Sequence, residues 1–164
     1  MGSAVVWLVI GVVFALLAAG LAAVIAIGFL MQKRQALGRT DAVQRFTQRR
    51  EELETLFFEQ AAASGRPRGL AWVDCDFGAD QIYARDRNSG QLRALVPVTI
   101  RFEAVAGGGM EDNPNVANLR AATAVFHYDG REWSTTGQVI FNLEPAEALQ
   151  HFQHELEPWD VAGP

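Results

Sequence analysis

The sequence predicts the α+β class. The expected order is an N-terminal transmembrane helix, a long amphipathic helix packed on a curved antiparallel sheet of about five strands, and a short C-terminal helix. Three observations carry this. From Ala4 to Met31 there is no charged residue. From Thr40 to Gly65 apolar residues recur at helical spacing, and after Pro67 the period falls to two, the spacing of strands with one buried face. Helix and strands are therefore segregated along the chain rather than alternating.

The chain has 164 residues and a formal net charge of −5. All 14 Lys and Arg and all 19 Asp and Glu follow the apolar run. Residues 4–31 are long enough for a spanning helix, which needs about 20 apolar residues. A cleavable signal peptide would carry a basic n-region and a shorter core; here Met1-Gly2-Ser3 precede the run. Residues 32–39 form a basic juxtamembrane connector, and Lys33, Arg34 and Arg39 are the expected contacts to lipid headgroups. Because these cations follow the span, the positive-inside rule places the soluble domain, residues 40–157, on the cytoplasmic face. The single Cys75 permits no intrachain disulfide, which agrees. Within the span Gly11, Ala15, Ala19 and Ala23 recur every fourth residue and so share a helix face. Small residues at that spacing let a second helix approach closely, the basis for expecting a helix–helix contact there.

The segment LGRTDAVQRFTQRREELETLFFEQAAASG reads as one long helix. Thr40 or Asp41 can cap it, Phe46, Leu53, Phe57 and Ala61 make its apolar stripe, Leu56 and Phe58 widen the stripe, and Gly65 and Pro67 end it. Strands follow at Leu70–Phe77, Gln81–Asp86 and in QLRALVPVTIRFEAV. In the third, Leu92, Ala94, Val96, Val98, Ile100, Phe102 and Ala104 share one face. Pro97 cannot donate to a ladder, so an edge position or a bulge is expected there. LRAATAVFHY and EWSTTGQVIFNL flank Asp129-Gly130, a signal for a tight hairpin turn. Glu144-Pro145 opens a short helix, PAEALQHFQHEL, and residues 158–164 read as a tail.

A long helix laid across such a sheet, over residues 40–143, resembles the cystatin-like and NTF2-like superfold; the likeness lies in element order and in no motif. An anchor followed by such a domain is also similar in layout to an inner-membrane component of type IV secretion systems. That family carries its basic flank before the span, whereas this chain carries it after, so the function is not transferred. The superfold implies that the sheet can enclose an apolar pocket. Its wall would be Trp72, Tyr83, Phe102, Phe126, Trp133 and Phe141, the same residues that an ordinary core would use.

The stretch GGGMEDN, residues 107–113, invites a phosphate- or cation-binding reading. A phosphate loop needs a following helix and commonly a Lys, but no Lys follows Lys33, and Asn113-Pro114 leads into another strand. Calcium loops space their ligands apart, and Glu111, Asp112 and Asn113 are consecutive. The stretch is expected to turn the chain, and Gly107, Gly108, Gly109, Met110, Glu111 and Asp112 form an exposed loop suited to partner contact. Cys75 alternates with Asp74 and Asp76 and should face the core with Val73 and Phe77. Glu147, His151 and His154 share a helix face without zinc-helix spacing, and His127 would have to complete a set by folding. No nucleophile elbow is present. The sequence therefore points to no catalytic residues, no metal site, no cofactor and no nucleic-acid partner. The expectation is a single-pass, membrane-anchored subunit that binds a protein partner or a second copy of itself. The alternative is a pocket domain that binds or transforms a small apolar ligand.

Overall fold

The structure is a computed structural model that describes residues 40–65 and 67–160. Residues 4–31 and 32–39, where the span, its Gly/Ala face and the basic connector are expected, lie outside the described residues. Among the described residues no helix is long and apolar enough to cross a membrane.

The domain is α+β. Two consecutive helices, α1 (residues 40–48) and α2 (Arg50–Ala63), cover one face of an antiparallel sheet. A short helix α3 (Pro145–His151) covers part of the other. The sheet has seven strands, not about five: β1 (Leu70–Phe77), β2 (Ile82–Asp86), β3 (Leu92–Ala104), β4 (Arg120–Tyr128), β5 (Trp133–Ser134), β6 (Val139–Phe141) and β7 (Leu156–Pro158). The central strand is β3. One flank pairs with β4 from Leu92 to Ile100; the other takes β2 at its start and β1 at its end. β5 and β6 add to the outer edge of β4, and β7 adds to β2.

The expected stripe Phe46, Leu53, Phe57 and Ala61 is buried, joined by Ala42. The single long helix is not continuous: it breaks at Arg49 (φ −107, ψ 12). The stripe shows why. One turn past Phe46 the core-facing positions fall on Arg49 and Arg50, which cannot enter an apolar interior as unpaired charges. At the other end of α1, Thr40 and Asp41 are already helical, and the Asp41 carboxylate pairs with Arg45 at 2.9 Å.

Pro97 is neither on an edge strand nor at a bulge. It pairs with Thr123 of β4 and faces, on its other side, the gap between the end of β1 and the start of β2. Its carbonyl there accepts from Gly78 N–H at 2.9 Å, so the side that lacks a donor meets a turn rather than a ladder. The bulge lies instead at Val73, between Trp72 and Asp74 of β1. It resets the alternation, so Cys75 packs inward with Phe77, Trp72 and Leu70.

The last hairpin holds, but its connection is the four-residue loop Asp129–Glu132, not a two-residue turn. The Asp129 carboxylate accepts from Arg131 and Glu132 N–H, both at 2.8 Å. Beyond it the expected single strand is split. Gly137 (φ +70) turns the chain against α2 so closely that a Cβ would stand 2.4 Å from the Ala61 nitrogen. The C-terminal helix is shorter than expected, and part of the segment read as helix and tail is the seventh strand: α3 ends at His151, and β7 pairs with β2 at Ala84, Arg85 and Asp86.

Candidate functional site

The six aromatic residues expected to wall a pocket all lie toward α1 and α2. Tyr83, Phe102, Phe126 and Trp133 are buried, and Trp72 and Phe141 are half-buried against them. They meet one another and the helices ring to ring. Phe46 sits 4.9 Å from Trp133 and 5.5 Å from Phe126 between centroids. Phe57 sits 5.6 Å from Phe77 and 5.8 Å from Phe126, and Trp72 sits 5.0 Å from Phe102. These are edge-to-face and tilted contacts within the range where aromatic pairs attract. The polar handles serve the fold as well. Trp133 Nε1 donates to the Ala42 carbonyl at 2.7 Å, and the Tyr83 hydroxyl takes Gln81 Nε2 at 3.3 Å.

The glycine loop turns the chain and supplies its own anion. Gly107 and Gly109 have φ of +78 and +77. The Glu111 carboxylate accepts the Gly107 N–H, and backbone N–H groups of the loop hold it below the ordinary carboxylate range, its own first and that of Gly107 next. A concavity of amides that could take a phosphate is thus filled by Glu111. Asn113 caps a 3-10 turn, Pro114–Ala117, through Asn115 N–H at 3.0 Å. The loop is pinned where Gly69 and Gly108 cross; a Cβ on Gly69 would lie 2.6 Å from the Gly108 carbonyl oxygen. Val105 and Leu119, the exposed large apolar residues among those described, flank this loop in the chain.

The other chemistry-bearing residues are scattered. The Cys75 thiol is pushed up to about 12 by burial and then by the Asp74 carboxylate, which holds it protonated and unreactive. Glu147 accepts the Glu144 N–H at 3.0 Å in a capping box, His151 meets Phe152 edge-to-face at the end of α3, and both His151 and His154 are exposed. His127 lies on the α3 side of β4, opposite Arg93, and burial, then Arg93, lowers its pKa. No group of three or more His, Cys, Asp or Glu side chains could hold a metal ion among the described residues.

Two polar constellations escaped the sequence reading. Arg50 reaches the turn between β1 and β2. It donates to the carbonyls of Ala79, at 2.6 Å, and Gly78, to Gln81 Oε1 at 2.8 Å, and it pairs with Glu54 at 2.8 Å. The signal was an Arg standing in the apolar stripe. On the opposite face Asp86 is buried; it accepts from Asn88 and Ser89 N–H at 2.9 and 2.8 Å and pairs with Arg93. Nothing local marks that pair, because β2 and β3 bring it together.

Two open grooves border α1 and α2. One, of about 430 Å³, runs between α1 and the β4–β5 hairpin, lined by Asp41, Arg45, Arg49, Arg131 and Glu132 among others. The other, of about 440 Å³, lies between α2 and β1, with Phe58, Val73 and Phe77 as its apolar surface and Glu51, Glu54 and Asp74 around it. Compared with known protein families, curated proteins and solved structures, the chain has no match.

Proposed function

We propose that the chain is a single-pass membrane protein whose α+β domain docks or assembles with other proteins on the cytoplasmic face and performs no catalysis itself. The observation that supports this most is how the domain uses its aromatic side chains. The rings that would line a ligand pocket in a cystatin-like or NTF2-like domain are engaged with each other and with Phe46 and Phe57. What the domain offers to the outside is surface: a preorganised loop at residues 107–112 with Val105 and Leu119 nearby in the chain, and two grooves beside the helices. Loops held on a rigid scaffold are favoured sites of partner contact. The apolar run and its Gly/Ala face supply the membrane half of the proposal.

The test is the native mass of the full-length protein, expressed at its own level and gently solubilised from its own membranes. The expected result is co-migration with other polypeptides, lost when Gly11, Ala15 and Ala19 are changed to Leu. A monomer running alone would defeat the proposal and turn the search to small ligands.

A further inference from the structure

The outer strands of a sheet present unpaired N–H and C=O groups, and proteins keep such edges short or blunt them. In this domain β5, β6 and β7 obey that rule, with two or three residues each. β1 does not. It has eight residues, and among the described residues it pairs only with β3. Beyond its bulge at Val73, Asp74–Phe77 is a run in regular register with β3. Cys75 N–H donates to Asp74 Oδ1 at 3.0 Å, while Gly78 N–H donates inward to Pro97. Alternation then directs the backbone groups of Cys75 and Phe77 outward.

The surroundings of this edge have a definite chemistry. On the helix side runs the groove between α2 and β1, with Phe58, Val73 and Phe77 for apolar contact and Glu51 beside them. On the opposite side Asp74 and Asp76 project into solvent. Asp74 stands 3.6 Å from Arg101 across the strands; Asp76 lies opposite Thr99. We propose that the edge of β1 at Asp74–Phe77 is a docking site for an extended segment of a partner protein that alternates basic and apolar residues. The segment adds as a further strand. Its apolar side chains enter the groove beneath α2, and its basic side chains lie beside Asp74 and Asp76. Main-chain bonds supply affinity and the alternating side chains supply selectivity, as in strand-addition complexes generally. The Asp74 carboxylate that now occupies Cys75 N–H yields it to a partner carbonyl and turns to a partner cation. The same acids exclude a second copy of this chain. An antiparallel β1–β1 pairing centred on Cys75 sets Asp74 against Asp76 twice, and like charges directly opposite destabilise a ladder.

The site deepens the docking function proposed above and rests on it. Its test uses the full-length protein in nanodiscs of zwitterionic lipid and two capped eight-residue peptides, one alternating Arg and Val, the other Glu and Val. The Arg peptide should bind and slow amide exchange at Cys75 and Phe77 at least about tenfold, with affinity falling as salt rises from about 50 to about 300 mM. The Glu peptide should do neither. The double change Asp74→Asn, Asp76→Asn, at two exposed positions, should weaken Arg-peptide binding about tenfold or more while the unfolding midpoint moves no further than the loss of one exposed ion pair, Asp74–Arg101, allows. A single Asp76→Asn variant gives the same direction if the double variant folds poorly. Equal binding of both peptides, protection elsewhere in the domain, or β1 amides already protected by self-association at working concentration would each overturn the site. If the protein runs in a larger assembly and the Arg peptide still fails to protect β1, the docking function stands and this site falls.

Discussion

Under α1 and α2 the sheet presents rings; under α3 it presents short aliphatic side chains and an ion pair. The first face packs Phe46, Leu53, Phe57 and Ala61 onto Tyr83, Phe102, Phe126 and Trp133. The second packs Ala84, Leu95, Val125 and Leu156 under Leu149 and Phe152, with Asp86, Arg93 and His127 beside them. Burial of apolar area does not depend on protonation, whereas a carboxylate or imidazole shifted in the fold ties stability to pH. The ring-packed face should therefore set how stable the domain is, and the α3 face should set how that stability responds to acid.

The largest effect belongs to the ring-packed face. Phe57 is fully buried and touches the rings of Trp72, Phe77 and Phe126. Phe57→Ala should cost about 3–5 kcal/mol, by lost transfer energy plus the cavity left behind. Denaturant unfolding of the full chain at pH 7 and pH 5 should give the same loss at both. A loss that depended on pH would break the division between the faces.

Next comes the contact that joins the sheet to α2. Gly137→Ala puts a side chain at φ +70 and into the Ala61 backbone, 2.4 Å away. Left-handed strain for a non-glycine residue costs about 1–3 kcal/mol, and here the helix must also move. A drop in stability of at least about 2 kcal/mol is expected. A near-neutral result would mean that the β5–β6 connection is not held against the helix.

The ring-packed face was also the readable one. Its residues follow two periods long enough to register, the helical stripe ending in Phe57 and Ala61 and the alternation from Leu92 to Phe102. The α3 face gave no such signal. Leu95 is a single off-face residue within the alternation of β3, and Val125 lies in a run of β4 buried on both sides, so neither announces a second face. β7 is three residues ending in a proline and owes its existence to a partner far earlier in the chain, β2, through the pairs Ala84–Pro158, Arg85–Glu157 and Asp86–Leu156. The break at Arg49 did have a local mark, the arginines at core-facing positions of the stripe, whereas the bulge at Val73 has none. The split at Gly137 was missed, like β7, because it is set by what lies across from it, the Ala61 backbone. For the same reason the open edge of β1 was invisible, since an edge is defined by pairings that do not form.

The α3 face should show the acid response. Hydrogen bonds from Ser89 first, together with Asn88 and Arg93, hold the Asp86 carboxyl below its ordinary value. A depressed folded value means that its stabilisation is complete above the unfolded carboxylate pKa, about 3.9, and is lost as pH falls through the folded one. Asp86→Asn should cost about 1–3 kcal/mol at pH 7, and the gap to the parent should close below about pH 4. His127 acts in a higher window. Its folded value lies below the unfolded one, near 6.5, so folding disfavours the charged ring and stability falls as pH drops below about 6.5. His127→Gln should flatten the curve between pH 7 and 5 while leaving the loss below pH 4 in place. If both losses persist in both variants, the acid response originates elsewhere.

The smallest effect is expected at the glycine loop, which belongs to neither face. Glu111 is exposed, and its bond to the Gly107 N–H orders a segment that covers no core. Glu111→Gln keeps the shape and removes the charge that the loop amides hold. The unfolding midpoint should not move, because the loop can open without exposing the sheet. Amide exchange at Gly107 and Gly109 should speed up nonetheless, since the anion that fills the concavity has gone. Inorganic phosphate added to the variant then tests what Glu111 displaces. Slowed exchange at those amides would show that the concavity accepts an external anion once its own is removed. No change would show that the carboxylate only closes the turn.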